Sequence, residues 1–169
     1  MPGAQVAILN ADNGVFLSWV DRSTLADITV SVTRPRINAQ HLDDFNGHHA
    51  LSILSGQANL VTRFNVAVRY IHDLTVAGSA RLNVWMEGRG VDLNIDCHRT
   101  APWANLFTVL SLGLGTRPFA SGGRSDRGAH AGRGNTFWGL RPASGAPLPL
   151  PACEFGPLLN LSGATLGAG

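Results

Sequence analysis

Hydrophobic and polar residues alternate almost without error along residues 79–97, SARLNVWMEGRGVDLNIDC. Ala80, Leu82, Val84 and Met86 fall on one side, and Arg81, Asn83, Trp85 and Glu87 on the other. After Gly88-Arg89-Gly90 the pattern resumes, with Val91, Leu93, Ile95 and Cys97 against Asp92, Asn94 and Asp96. A period of two predicts half-buried β-strands. The longest candidate is NLVTRFNVAVRYI, residues 59–71. Leu60, Thr62, Phe64, Val66, Val68 and Tyr70 line one face of it; Arg63, Asn65 and Arg69 line the other. Unbroken, at ~3.3 Å per residue, that run would reach about 40 Å, so a bulge or bend within it is expected.

Upstream, AQVAIL and VFLSWV flank the turn cluster Asn10-Ala11-Asp12-Asn13-Gly14, which predicts a hairpin. DITVSVTR sets Ile28, Val30 and Val32 against Thr29, Ser31 and Thr33 before Pro35 ends the strand. Residues 36–49 are polar and predict a long loop. TAPWANLFTVLSLG, residues 100–113, places Trp103, Leu106, Phe107 and Leu110 at i, i+3, i+4 and i+7, with Thr100 to cap and Gly113 to stop one short helix. Short connections and polar outer faces favour antiparallel pairing. The expected fold is all-β: an antiparallel β-sandwich or jelly roll with one short helix over residues 1–113.

From Leu114 onward the periodicity is lost in a Gly-, Pro-, Ala- and Ser-rich stretch. Phe119, Phe137, Trp138, Leu140, Phe155, Leu158 and Leu159 punctuate it. Apolar anchors along such a chain suggest an extended arm, residues 114–169, ordered by lying on another surface.

Composition narrows the class. Of 169 residues 44% are hydrophobic and 14% charged, too apolar for a disordered chain and too poorly charged for a coiled coil. All thirteen basic residues are Arg. Residues 1–100 hold eight Arg against nine acids, a net of −1; residues 101–169 hold five Arg against Asp126 and Glu154, a net of +3. Two cysteines, Cys97 and Cys153, make neither a disulfide framework nor a zinc site, so a reducing compartment is expected. No signal peptide or apolar run of membrane-spanning length is visible.

NGHHALSILSGQANL echoes the cupin barrels, which bind a metal through a His pair near a Gly ahead of a strand. Cupin His residues are separated by one residue, whereas His48 and His49 are adjacent and on a strand would point to opposite sides. No third His or Glu ligand falls in place, so no metal and no cofactor is expected. His41, Asp43 and Asp44 with His72 and Asp73 are a possible acid/base group that nothing in their spacing requires. No Gly-x-Ser-x-Gly elbow, Walker loop or dinucleotide fingerprint is present. GRSDRGAHAGRG is Gly-rich but neither follows a predicted strand nor opens a helix. Arg117, Arg124, Arg127, Arg133 and Arg141 share one stretch with a single acid, Asp126, and are the candidates for weak, non-specific RNA contact.

HDLTVAGSARLNVWMEGRGVDLNI, residues 72–95, resembles part of the jelly-roll capsid proteins of picorna-like RNA viruses. The family's turn, small-residue link, strand and acidic segment fall on Leu74, on Gly78-Ser79-Ala80, on Leu82-Asn83-Val84-Trp85-Met86 and on Val91-Asp92-Leu93. The chain is short for a full capsid domain, and its tail has no counterpart in that family. The resemblance implies a structural virion protein without enzyme activity: a capsid, protrusion or capsid-cementing subunit, found in the virion and in host cytoplasm during assembly. Its partners would be other copies of itself or other shell subunits, with no membrane. Trp85, Trp103, Phe119, Phe137, Trp138 and Phe155 would then be interface anchors. The alternatives are a cupin-like metal- or small-ligand-binding barrel and a phage-type decoration or tail-associated protein.

Overall fold

The computed structural model describes residues 5–36 and 45–163. It contains β1 (Val6–Leu9), β2 (Asn13–Ser18), β3 (Thr24–Ser31), β4 (His49–Leu54), β5 (Leu60–Val66), β6 (His72–Ala77) and β7 (Val84–Met86). These are followed by β8 (Arg89–Gly90), β9 (Ile95–Cys97), β10 (Leu106–Thr108), β11 (Ser111–Gly113), β12 (Thr136–Trp138), β13 (Arg141–Pro142) and β14 (Asn160–Ser162). One sheet of ten strands runs β13-β11-β8-β5-β7-β10-β12-β14, with β3 also on β5 and β1 on β3. A second sheet of four runs β2-β4-β6-β9.

Every pairing between these strands is parallel. The antiparallel sandwich or jelly roll expected from alternation is therefore not the fold. Alternation reports which face is buried but says nothing about strand direction. Short connections suggested hairpins, yet from β1 to β6 consecutive strands alternate between the two sheets, and none of the later consecutive strands pair with each other. β1 pairs β3 and β2 pairs β4, so the expected β1–β2 hairpin is absent. Parallel neighbours need a crossover, usually a helix. From β1 to β6 a strand of the opposite sheet serves as the crossover, and the chain winds as a parallel β-solenoid; later coils give two short strands to the larger sheet (β7 and β8, β10 and β11, β12 and β13), and β9 is the last strand of the smaller one.

The faces of the larger sheet shift because each coil carries a residue with positive φ at the same place. Asp27 (60°), Arg63 (50°), Glu87 (55°), Val109 (53°) and Gly139 (64°) form this row. Each local left-handed residue changes the strand's parity, much as a bulge does. Hence Val61 is buried and Leu60 only partly so, while Thr62, Phe64 and Val66 lie inside as the alternation predicts. The bend expected in residues 59–71 falls at Arg63. In the next coil Trp85 points inward and is wholly buried, while Leu82, assigned to the opposite face of that strand, is 52% exposed. Leu93, Ile95 and Cys97 are buried as the alternation predicts, but Val91 of the same expected face is 42% exposed, and Asp92, Asn94 and Asp96 of the opposite face are buried too.

Two ladders hold the coils in register. Val61, Trp85, Phe107, Phe137 and Leu161 are consecutive register partners. Trp85 stacks on Phe107 at 6.1 Å, and Phe107 on Phe137 at 5.2 Å and 7° between planes. Such pairs add about 0.5–1.5 kcal/mol beyond area burial. Just before each strand stands a buried asparagine: Asn59, Asn83, Asn105 and Asn135. Asn83 Oδ1 accepts from the backbone N and the Nδ2 of Asn59, both at 3.0 Å. Asn105 and Asn135 repeat both bonds for the coil before them. The ladder satisfies backbone donors at a corner where strand pairing stops.

The helix expected over residues 100–113 is replaced by β10 and β11. Ala101, Ala104 and Val109 have φ of 52°, 53° and 53°, values that break a right-handed helix. The apolar spacing there records a solenoid corner, with Phe107, Leu110 and Leu112 inward. The only helical segments among the described residues are the 3-10 turns Ser125–Arg127 and Cys153–Phe155. Past residue 113 the chain rejoins the larger sheet, since β12 pairs β10 and β14, and β13 pairs β11. No helix of the described residues is long and apolar enough to cross a membrane.

Candidate functional site

The outer face of the smaller sheet gathers the chain's polar chemistry. β4 and β6 run in register with His49 opposite His72, and Ser52 opposite Thr75. β9 then puts Asp96 beside Thr75. His48 precedes β4 and His98 follows β9. Ring centroids lie 4.2 Å apart for His48 and His49, 4.8 Å for His49 and His72, and 5.3 Å for His72 and His98. Two triads bring their ligand atoms within 4.8 Å of one another: His48, His49 and His72, and His72, Asp96 and His98.

Asp96 organises the cluster. Its side chain is fully buried and accepts from Gly122 N at 2.9 Å, Thr75 Oγ1 at 3.2 Å and His98 Nδ1 at 2.9 Å. Burial pushes its carboxyl upward, but the His98 bond and the His72 and His98 charges outweigh that and hold it below the usual carboxylate range. Asp96 is thus an acceptor only, and takes the single Thr75 hydroxyl proton. His49 Nδ1 lies 2.9 Å from Thr75 Oγ1 and must donate to it. The network thereby assigns His49, and neutral His98, the Nδ1–H tautomer, leaving each Nε2 with a free lone pair.

Burial, with the neighbouring imidazoles, pushes His49 down to about 4. Burial likewise lowers His72 to about 4, against the pull of Asp96. His98 is raised, chiefly by its bond to Asp96. The His72 side chain is 10% exposed, and its Nδ1, 3.5 Å from Asp96, has no hydrogen-bond partner.

Residues 117–131 cover this face. Gly122 sits so close that a Cβ there would meet His72 Nε2 at 2.9 Å and His98 Cε1 at 3.0 Å. His130 Nδ1 lies 3.2 Å from Gly122 O. The start of the covering segment is anchored by Arg117, which donates to the Asp73 carboxylate at 2.7 Å and to the Tyr70 and Ile71 carbonyls. Burial raises Asp73 to about 6 despite Arg117. Arg69 is 3.3 Å from Asp92, and Arg69 and Arg117 both lie 5.0 Å from the Phe45 ring.

The structure distributes the other sequence-derived candidates widely. Trp85, Phe137 and Phe155 are buried in the chain's own core and Phe119 packs against it; Trp103 and Trp138 are 38% and 57% exposed. Arg117 is engaged as described, Arg124 pairs with Asp126 at 2.6 Å, and Arg141 opens β13. Arg127 ends a 3-10 turn, and Arg133 stands in the chain leading to β12. His41, Asp43 and Asp44 lie outside the described residues, and Asp73 is turned to Arg117 rather than to the imidazoles. His48 and His49 were expected to diverge. They converge because His48 lies before β4, where strand alternation does not govern it. His72, Asp96 and His98 were not read as their companions. Their signal is that they recur about one coil apart, visible only once the coil is known.

No family model matches the chain, and no curated protein or solved structure shows significant similarity to it.

Proposed function

We propose that this solenoid binds a divalent transition-metal ion on the outer face of its smaller sheet. The observation that carries the reading is the convergence of four imidazoles, two of them against one buried carboxylate, with His72 Nδ1 lacking a hydrogen-bond partner. Packing alone gives no reason for it. Neutral imidazole suits zinc, copper or nickel, whereas calcium and magnesium prefer all-oxygen sites. A carboxylate donating order to a ligating imidazole is the usual outer-shell support of such an ion. The test is zinc titration of chelator-treated protein followed by calorimetry and elemental analysis. One equivalent should bind wild type, and His72→Leu, which removes the residue shared by both triads, should lose it. Failure of wild type to take up stoichiometric metal would overturn the reading.

A second reading rests on a different observation. Among the described residues nothing pairs with the outer edges of β1 and β2, and Val6, Leu9, Phe16 and Trp19 beside them are exposed, Trp19 by 80%. An open parallel edge is a template for another chain. We propose that this end joins a second copy. This is the form in which a shell-subunit role, whether capsid, cementing or phage-type decoration, is compatible with a solenoid. Light scattering over a range of concentrations tests it. Association that weakens in Phe16→Lys supports the reading, and a monomer throughout removes it.

A further inference from the structure

Resting on the metal-binding reading, the geometry points to a three-imidazole centre with an open coordination position, able to take a small exogenous ligand. We infer that His48, His49 and His72 hold the ion. Asp96 Oδ2 is engaged by both Thr75 Oγ1 and His98 Nδ1, and Oδ1 by Gly122 N. Ligation by Asp96 would break bonds that fix the tautomers of His49 and His98 and seat the covering segment. The all-imidazole triad requires no such loss. Its three ligand atoms already lie within 4.8 Å of one another; donors ~2.0–2.1 Å from one tetrahedral ion stand about 3.3 Å apart, a closure that side-chain rotation supplies.

Three protein donors fall one short of a closed tetrahedral site, the pattern of centres that exchange ligands rather than merely brace a fold. The burial gradient agrees. His72 is buried, His49 partly so and His48 exposed, so the triad opens to solvent on the His48 side. Asp96 then acts as a positioning residue through Thr75: it sets the Nδ1–H tautomer of His49 and leaves Nε2 free for the ion. The expected occupant of the open position is water, displaced by a small anionic or nitrogen-donor ligand.

Cobalt(II) is the probe, added to the metal-free full chain and followed by visible absorption. One equivalent should develop d–d bands, and sodium azide should shift them in a saturable way. Bands that azide leaves unchanged would mean a closed centre and overturn this inference while leaving metal binding intact; the absence of any cobalt uptake would instead defeat the metal reading itself. The choice of triad has its own check. His48→Gln, at an exposed position, should weaken cobalt binding by about tenfold or more, the scale of effects seen even for outer-shell changes. Unchanged affinity would assign the ion elsewhere. In Thr75→Val, long-range ¹H–¹⁵N correlation of the metal-free protein should show His49 losing its Nδ1–H preference. Retention of that tautomer would remove the positioning role.

Discussion

The inner face of the larger sheet and the outer face of the smaller one are built by the same coiling, yet they repeat opposite things. Inside, like stacks on like to the benefit of the fold: indole on phenyl on phenyl, carboxamide on carboxamide. Each carboxamide is satisfied by the next, and the gain extends along the axis as in any solenoid, although the Trp85 indole nitrogen has no hydrogen-bond partner. Outside the smaller sheet, imidazole stands against imidazole around a buried carboxylate. Here neighbours disfavour one another's charged forms. A ladder that lowers the free energy of folding needs no further explanation. A cluster that gains so little from its own repetition is better understood as a site held ready by the ladders beneath it.

That contrast makes graded predictions. Trp85→Ala, at the centre of the aromatic column, should cost about 3–5 kcal/mol in urea unfolding, through lost transfer energy and an unfilled cavity. A loss well under half of that would mean that the column is not the organising core. Asn83→Ala strands the Asn59 backbone donor and one of the two Nδ2 protons, the other staying on the Val20 carbonyl. It should cost about 2–3 kcal/mol, since each buried unsatisfied group carries about 1–3. The same change at exposed Asn160 should be close to silent in the same assay.

Acid should strike the other face. His49 and His72 have folded pKa values near 4, below the 6.5 of an unconstrained imidazole. Between those values the unfolded chain binds more protons, so stability falls as pH drops from about 6.5 towards 4. His130, lowered mainly by burial, adds to this. Asp73, raised to about 6, and His98, raised by its bond to Asp96, oppose it: the protons each takes up in the folded chain are stabilising below its folded pKa and are lost above it. The metal-free protein should therefore show a net fall in Tm between pH 6.5 and 4.5, smaller in His72→Leu. A flat or rising Tm would contradict the placement of these imidazoles. The smallest effect belongs to the exposed Asp27–Arg63 pair, 2.7 Å apart, for which Arg63→Ala should leave Tm unchanged in moderate salt.

Much of the strand content was legible in the sequence, because alternation survives wherever a strand has one buried face. Ile28 with Val30, and Leu93, Ile95 and Cys97, were assigned to the interior and lie there. Direction was not legible, and neither was the inversion at Trp85, which depends on left-handed residues such as Glu87 that carry no compositional mark. The missed signal was a repeat. ANLV, LNVW, ANLF and GNTF each carry an Asn at the start of a strand of the larger sheet. They are separated by 24, 22 and 30 residues, a period irregular enough to conceal a solenoid. The jelly-roll resemblance drew on the same words, read as antiparallel strands. The candidate site was half visible, as His48-His49. The rest emerges only when a parallel register carries His49 onto His72 and Thr75 onto Asp96.

The division between a stabilising interior and a binding surface can be tested in one experiment: thermal unfolding at pH 7.5 of wild type and His72→Leu, each with and without excess zinc. Because His72 Nδ1 has no partner to lose, the two metal-free proteins should melt at similar temperatures. Zinc should raise the Tm of wild type alone, as binding to the folded state requires. A variant that melts far below wild type without metal, with zinc raising neither, would show the imidazole cluster to be a structural part of the fold.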